Sequence, residues 1–183
     1  IGIALAPHDG DTSEELIRNA DLALYAAKDG GRGRYHFYAD DLHKDAEERR
    51  QMEQDLRDAM HNGTLELHYQ PVIHTATERI AGCEALLRWN HPVKGAISPS
   101  SFVHVAEDSG LISAIGEWAL RTACHDLASW PEEVRVAVNV SPPQFANPQL
   151  PAIVTSAIAQ AGIAPDRLEL EITESVFLDD DAN

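Results

Sequence analysis

Four short segments alternate apolar and polar residues with period two, and this pattern constrains the chain more than any other. Leu65, Leu67 and Tyr69 interleave with Glu66, His68 and Gln70, and Pro71 ends the clean alternation. Ala81, Cys83, Ala85, Leu87 and Trp89 form one apolar face, with Glu84 and Arg88 on the other. Val134, Val136, Val138 and Val140 oppose Arg135, Ala137 and Asn139, and Leu168, Leu170 and Ile172 oppose Glu169, Glu171 and Thr173. Each reads as a strand with one polar face. Helical periodicity fills the intervals: Ser101 to Glu107, Ile112 to Trp130 with Ile115, Ala119, Ala123 and Leu127 on one side, and a helix opened by Pro151 and stopped by Gly162.

The expected order is therefore β, β, α, α, β, α, β, an opening hairpin followed by the alternation of a parallel α/β sheet or barrel. A flat parallel sheet covered on both faces calls for continuously apolar strands, which these are not. A closed barrel reconciles the two, with apolar faces outward against helices and polar faces lining an interior or mouth. Glu84, Asn139 and Glu171 then project from the polar sides of three strands, the last two at late strand ends, where barrel active sites gather.

The segment ahead of this region reads differently. Residues 1–38 give a strand from Ile1 to Ala6, a turn at Pro7-His8-Asp9-Gly10, a helix opened by the capping box of Thr12 and Glu15, and a strand from Arg34 to Tyr38. Leu16, Ile17, Ala20 and Leu24 supply the helix's apolar periodicity, and Gly30-Gly31 stops it. Lys28 and Arg32 lie four apart at its exit, where spacing alone has them complement the helix C-terminus. Residues 39–63 are crowded with charge, and Leu42, Ala46, Leu56 and Met60 leave only a thin apolar stripe. Such a helix is expected to connect two domains or pair with another copy. The expected division is 1–38, 39–63 and 64–183.

A formal charge of −16 over 183 residues argues against a polyanionic duplex as partner. Cys83 and Cys124 sit in apolar periodic segments without close pairing and read as reduced core residues, which suits the cytoplasm. The nine histidines show no HExxH spacing. Opening on Ile1 inside a strand, the chain reads as a piece of something longer, with room for an upstream sensory or membrane segment. Two carboxylates and an amide oxygen are hard ligands suited to Mg²⁺ or Mn²⁺, and Arg88 beside them could fork a phosphate oxygen. That describes metal-assisted phosphoester hydrolysis. The same residues also fit a solvated strand face or a structural Glu-Arg pair.

Gly82-Cys83-Glu84-Ala85-Leu86-Leu87-Arg88-Trp89 resembles the signature of EAL-domain cyclic di-GMP phosphodiesterases. Tyr69-Gln70-Pro71, Ile97-Ser98-Pro99-Ser100-Ser101-Phe102, Ala106-Glu107, Asn139-Val140-Ser141-Pro142 and Glu171-Ile172-Thr173-Glu174 follow in the family's order. The first 38 residues, through Ala20-Asp21-Leu22-Ala23-Leu24-Tyr25, Ala27-Lys28 and Gly31-Arg32, resemble the end of a GGDEF diguanylate cyclase domain. The resemblance implies the first half of a TIM-barrel-like (β/α)₈ EAL domain after the last β-α-β piece of a GGDEF domain. It implies Glu84, Asn139 and Glu171 as ligands of Mg²⁺ or Mn²⁺, Glu84 and Glu174 as catalytic acids, and Gln70 and Arg88 as substrate contacts. It implies Lys28 and Arg32 as nucleotide-phosphate contacts in the intact protein.

The implied reaction is hydrolysis of cyclic di-GMP to linear pGpG in bacterial second-messenger signalling, by a protein expected to be a cytoplasmic homodimer, free or tethered to the inner membrane. The family's later double aspartate, lysine, Glu and Gln are not in this sequence, and Asp179 to Asp181 follow Glu174 too closely to stand for the aspartates. About 120 residues are present where a (β/α)₈ barrel takes about 250. The 183-residue piece alone is therefore expected to be inactive. A degenerate EAL module that binds cyclic di-GMP and signals through the 39–63 helix is the alternative.

Overall fold

The computed structural model describes residues 1–31 and 33–172. Contacts divide the chain into two units, Ile1–Gln54 and Asp55–Asn183. In the first, β1 (Gly2–Ile3) pairs in parallel with β2 (His36–Phe37), and α1 (Ser13–Asp29) joins them. The two strands are shorter than their apolar runs suggest, because only two residues of each find a partner. Helix α1 lies so close to β1 that a Cβ on Gly2 would stand 1.9 Å from the Ala20 carbonyl oxygen. The capping box forms as expected: the Glu15 N–H donates to Thr12 Oγ1 at 3.2 Å, and the Thr12 N–H donates to Glu15 Oε2 at 3.1 Å. The buried residues of α1 are Asn19, Ala23 and Ala27, while Ile17, read as part of the apolar stripe, is 64% exposed.

Helix α2 (Asp41–Asn62) spans the division. Its apolar stripe is as thin as its composition suggests, with Leu56 and Ala59 its buried residues. The second unit continues with β3 (Leu65–His74), β4 (Arg79–His91), β5 (Gly95–Ile97), α3 (Pro99–Asp108), α4 (Leu111–Leu127), β6 (Arg135–Val140), α5 (Pro142–Phe145), α6 (Leu150–Ala161), the 3-10 turn Pro165–Arg167 and β7 (Leu168–Ile172). Strands run in the order β3-β4-β6-β7. The β3-β4 hairpin is antiparallel and the other two pairings along that path are parallel, as the alternation of elements requires.

Three features depart from the sequence reading. Strand β3 continues through Pro71 to His74. A register shift at Val72/Ile73 leaves Ala81 without a partner across the hairpin, so Ala81 is exposed rather than part of the apolar face. The loop after Asn90 contains β5, which pairs with β4 at Trp89, Asn90 and His91.

Register puts Leu67, Tyr69, Ala85, Val136, Val138 and Leu168 on one face of the sheet, against α4 and α6. Leu120, Ala123, Cys124 and Leu127 of α4 and Ala157 of α6 complete that core. The small residues Ala123 and Ala157 let the two helices approach closely. Tyr69 joins the layers twice, donating its hydroxyl to Asp126 Oδ2 at 2.6 Å and meeting Trp130 edge-on with centroids 4.8 Å apart. Both cysteines are free thiols, and burial pushes each above the usual thiol range. Cys124 lies in the core as its periodicity predicts, whereas Cys83 is only partly buried. Among the described residues no helix is long and apolar enough to cross a membrane.

Candidate functional site

The opposite face of the same sheet carries the polar residues. Paired residues of neighbouring strands point to the same side, so register alone assembles the set. Gln70 stands opposite Glu84, Glu66 opposite Arg88, and Asn139 opposite Glu171. Glu84 pairs with Ala137, two residues before Asn139 on that face. Asn139 leans across to close the gap, and its Nδ2 donates to Glu84 Oε1 at 2.8 Å. Glu84 is half-buried, while Gln70, Asn139 and Glu171 are exposed.

Arg88 lies two alternations beyond Glu84, with Leu86 between them on that face, where β4 changes neighbours. Strand β6 accompanies β4 only from Gly82 to Ala85, and β5 takes the same edge at Trp89. Between them the edge of β4 pairs with neither strand, and Arg88 Nη1 donates to the Leu87 carbonyl there at 2.8 Å. The parting of the strands opens a cavity of about 580 Å³ toward α3, α4 and α5, lined among others by Leu86, Arg88, His104, Glu107, Asn139 and Gln144. His104 Nδ1 lies 3.4 Å from Glu107 Oε2 within α3. A larger groove of about 990 Å³ belongs to the first unit, between α1 and the first half of α2, and contains none of these residues.

The sequence-predicted residues thus fall into three groups. Gln70, Glu84, Arg88, Asn139 and Glu171 share one face, and Glu84 and Asn139 touch. Lys28 lies exposed in the last turn of α1, in the first unit. Arg32 and Glu174 lie outside the described residues.

Among the described residues no three His, Cys, Asp or Glu side chains converge as a metal centre. The candidate set instead joins two carboxylates to an amide. The Asn139 amide that donates to Glu84 carries an oxygen at its other end, so the chain's donors here are all oxygen. Such a set fits Mg²⁺ or Mn²⁺ and suits zinc poorly. Gln144, behind Asn139, is absent from the sequence-predicted set, although Ser141-Pro142-Pro143-Gln144 has the Ser-x-x-Gln spacing of a capping box, which the structure forms.

A mixed α/β sheet with oxygen-bearing side chains gathered on its polar face fits a broad class of α/β enzymes and binding modules. Comparison with known proteins narrows it: residues 53–183 match the EAL domain, and the chain belongs to that family. An uncharacterised signalling protein of Caulobacter vibrioides is 47% identical over 180 residues, 98% of this chain and 22% of that protein. The bifunctional diguanylate cyclase/cyclic di-GMP phosphodiesterase MucR of Pseudomonas aeruginosa is 44% identical over 184 residues, 98% of this chain and 27% of that protein. Among solved structures, the PaMucR phosphodiesterase in complex with c-di-GMP superposes with a TM-score of 0.68 at 42% identity, over 72% of this chain and 56% of that one. The chain spans about a quarter of the length of the curated relatives it matches.

Proposed function

We propose that this chain carries the first half of the barrel of a metal-dependent phosphodiesterase that hydrolyses cyclic di-GMP to pGpG, preceded in residues 1–38 by the end of a GGDEF domain. The observation that most supports this is the meeting of Glu84 and Asn139 across 2.8 Å, with Glu171 in register beside Asn139 and Arg88 farther along the same face. The names of the relatives and the ligand named for the solved structure above support the substrate.

In this reading Glu84, Asn139 and Glu171 hold Mg²⁺ or Mn²⁺. When bound, the cation supplies positive charge that acidifies the attacking water and offsets charge on the phosphoryl oxygens. Arg88 exchanges its bond to the Leu87 carbonyl for a phosphate oxygen, a stronger charge-assisted partner. Gln70, opposite Glu84 on β3, contacts the substrate from the neighbouring strand. Water oxygen attacks phosphorus in line, one P–O ester bond breaks, and the leaving ribose oxygen takes a proton, which opens the ring. Glu174, outside the described residues, is assigned as a catalytic acid on the family motif Glu171-Ile172-Thr173-Glu174 alone.

The test is chromatographic detection of pGpG from the intact protein supplied with cyclic di-GMP and either cation. Product should form, and Glu84→Ala should reduce it on the order of a hundredfold or more, as loss of a transition-state charge contact does. Undiminished product in that variant sinks the assignment of Glu84. Tight calorimetric binding without turnover selects the receptor reading instead.

A further inference from the structure

The turn that follows Asn139 is held from an unexpected direction. Asn139 is the penultimate residue of β6, and the chain turns at Ser141 into the four residues of α5. A helix that short cannot hold its own geometry. Gln144 holds it instead: its Oε1 accepts the Ser141 N–H at 3.2 Å and the Ser141 hydroxyl at 3.1 Å. Gln144 is only 8% exposed, one of three buried polar side chains among the described residues.

The other side of its amide rests against α4. A Cβ added at Gly116 would stand 1.7 Å from Gln144 Nε2 and 2.5 Å from its Cδ. Glycine inside a helix is less stable than alanine, and here its missing side chain is the space the Gln144 amide fills. Helix α4 is the rigid reference, since Leu120, Ala123, Cys124 and Leu127 bury it in the core. Contacts therefore lead from the core through Gly116 and Gln144 to Ser141, which stands two residues along the backbone from Asn139, whose amide meets Glu84.

We propose that Gln144, seated in the slot at Gly116, is a positioning residue that sets the direction of the Asn139 side chain and with it the oxygen donor set shared with Glu84 and Glu171. The proposal rests on the metal-dependent reading of the site. A capping role alone would change stability and leave cation affinity as it is. A positioning role changes affinity whether or not stability moves.

The experiment titrates Mn²⁺ into the intact protein by calorimetry and follows thermal unfolding of the same samples. Gly116→Ala displaces the Gln144 amide without removing any polar group from the chain. Gln144→Ala removes the acceptor, and Gln144→Glu keeps it in the form common to capping boxes. Mn²⁺ affinity should fall on the order of tenfold in Gly116→Ala and Gln144→Ala, the size typical of groups that orient a ligand. Gln144→Glu should retain most of it. Wild-type affinity in Gly116→Ala overturns the positioning role, including where Gln144→Ala does not fold. Equal losses in Gln144→Glu and Gln144→Ala overturn it as well. A wild type that binds no Mn²⁺ overturns the metal reading itself, a separate and visible outcome.

Discussion

Replacing Arg167 by methionine isolates the contribution of its guanidinium, because methionine keeps an apolar stem of similar reach and loses every donor. Arg167 ends the 3-10 turn before β7 and points back at the end of α4. Its Nε donates to the Val134 carbonyl at 3.0 Å, and its Nη2 donates to the Pro131 carbonyl at 2.8 Å. Two longer bonds reach Leu127 and Trp130 at 3.3 and 3.4 Å. The Leu127 and Pro131 carbonyls also accept from the Trp130 and Val134 N–H groups, so they keep a partner in the variant. The loss is therefore closer to two bonds than to four. Bonds from a charged donor contribute roughly 1.5–3 kcal/mol each, and the half-exposed setting lets water replace part of that. A net cost of about 2–3 kcal/mol follows, a shift in the unfolding equilibrium on the order of 30- to 150-fold. Urea unfolding followed by tryptophan fluorescence reads it, since Trp130 meets Tyr69 edge-on beside these carbonyls. With a urea slope of ~2 kcal/mol/M, the midpoint should fall by roughly 1 M with the slope unchanged. Arg167→Lys should recover less than half, because an ammonium cannot fork across separate carbonyls. A midpoint shift below about 0.3 M would refute the reasoning, since it would mean water serves these carbonyls as well as Arg167 does.

Burial, and next the Asp126 acceptor, push the Tyr69 phenol well above its ordinary value. A raised folded-state value means that the phenol's contribution is whole below about pH 10, where the unfolded phenol titrates, and is lost as pH rises from there. Stability should thus fall more steeply between about pH 10 and 11.5 in the wild type than in Tyr69→Phe, and parallel profiles would contradict this. At the other end of the sheet, Asp55 Oδ2 lies 3.1 Å from His91 Nε2 and 3.5 Å from Lys94 Nζ. His91 Nδ1 accepts the N–H groups of Val93 and Lys94, which leaves the proton on Nε2 to donate to Asp55. Asp55→Ala should cost about 1–2 kcal/mol in thermal unfolding, and Lys94→Ala under about 0.5 kcal/mol because its ammonium is half in water. The reverse ranking would show that the lysine, not the histidine, holds this corner.

The two-faced strands were legible because alternation is a local property. Leu67, Tyr69, Ala85, Val136 and Val138 pack where period two placed them, and Glu84, Asn139 and Glu171 emerge together on the other side. What stayed hidden depends on distance along the chain. Glu84 and Asn139 are 55 residues apart, and their hydrogen bond follows from the register of β4 on β6, which alternation does not specify. Gly116 and Gln144 have no shared pattern, and neither have Arg167 and Val134, since a polar group bridging two segments leaves no periodic trace. Strand β5 has three residues, too few to show a period. Ile17 fits the helical stripe of α1 yet is exposed, while Ala23 and Ala27 of the same helix are buried.

The division of labour between the two sheet faces bears on how such proteins diverge. Glu84, Arg88, Asn139 and Glu171 lie away from the core that Leu120, Ala123, Cys124 and Leu127 form with the apolar face. A lineage can therefore exchange these side chains one at a time without crossing the stability threshold that removes most damaging mutations. Descent from hydrolysis to binding, or to neither, is open to this architecture in single steps. Loss of an oxygen from this face would register in the chemistry of the site before it registered in folding.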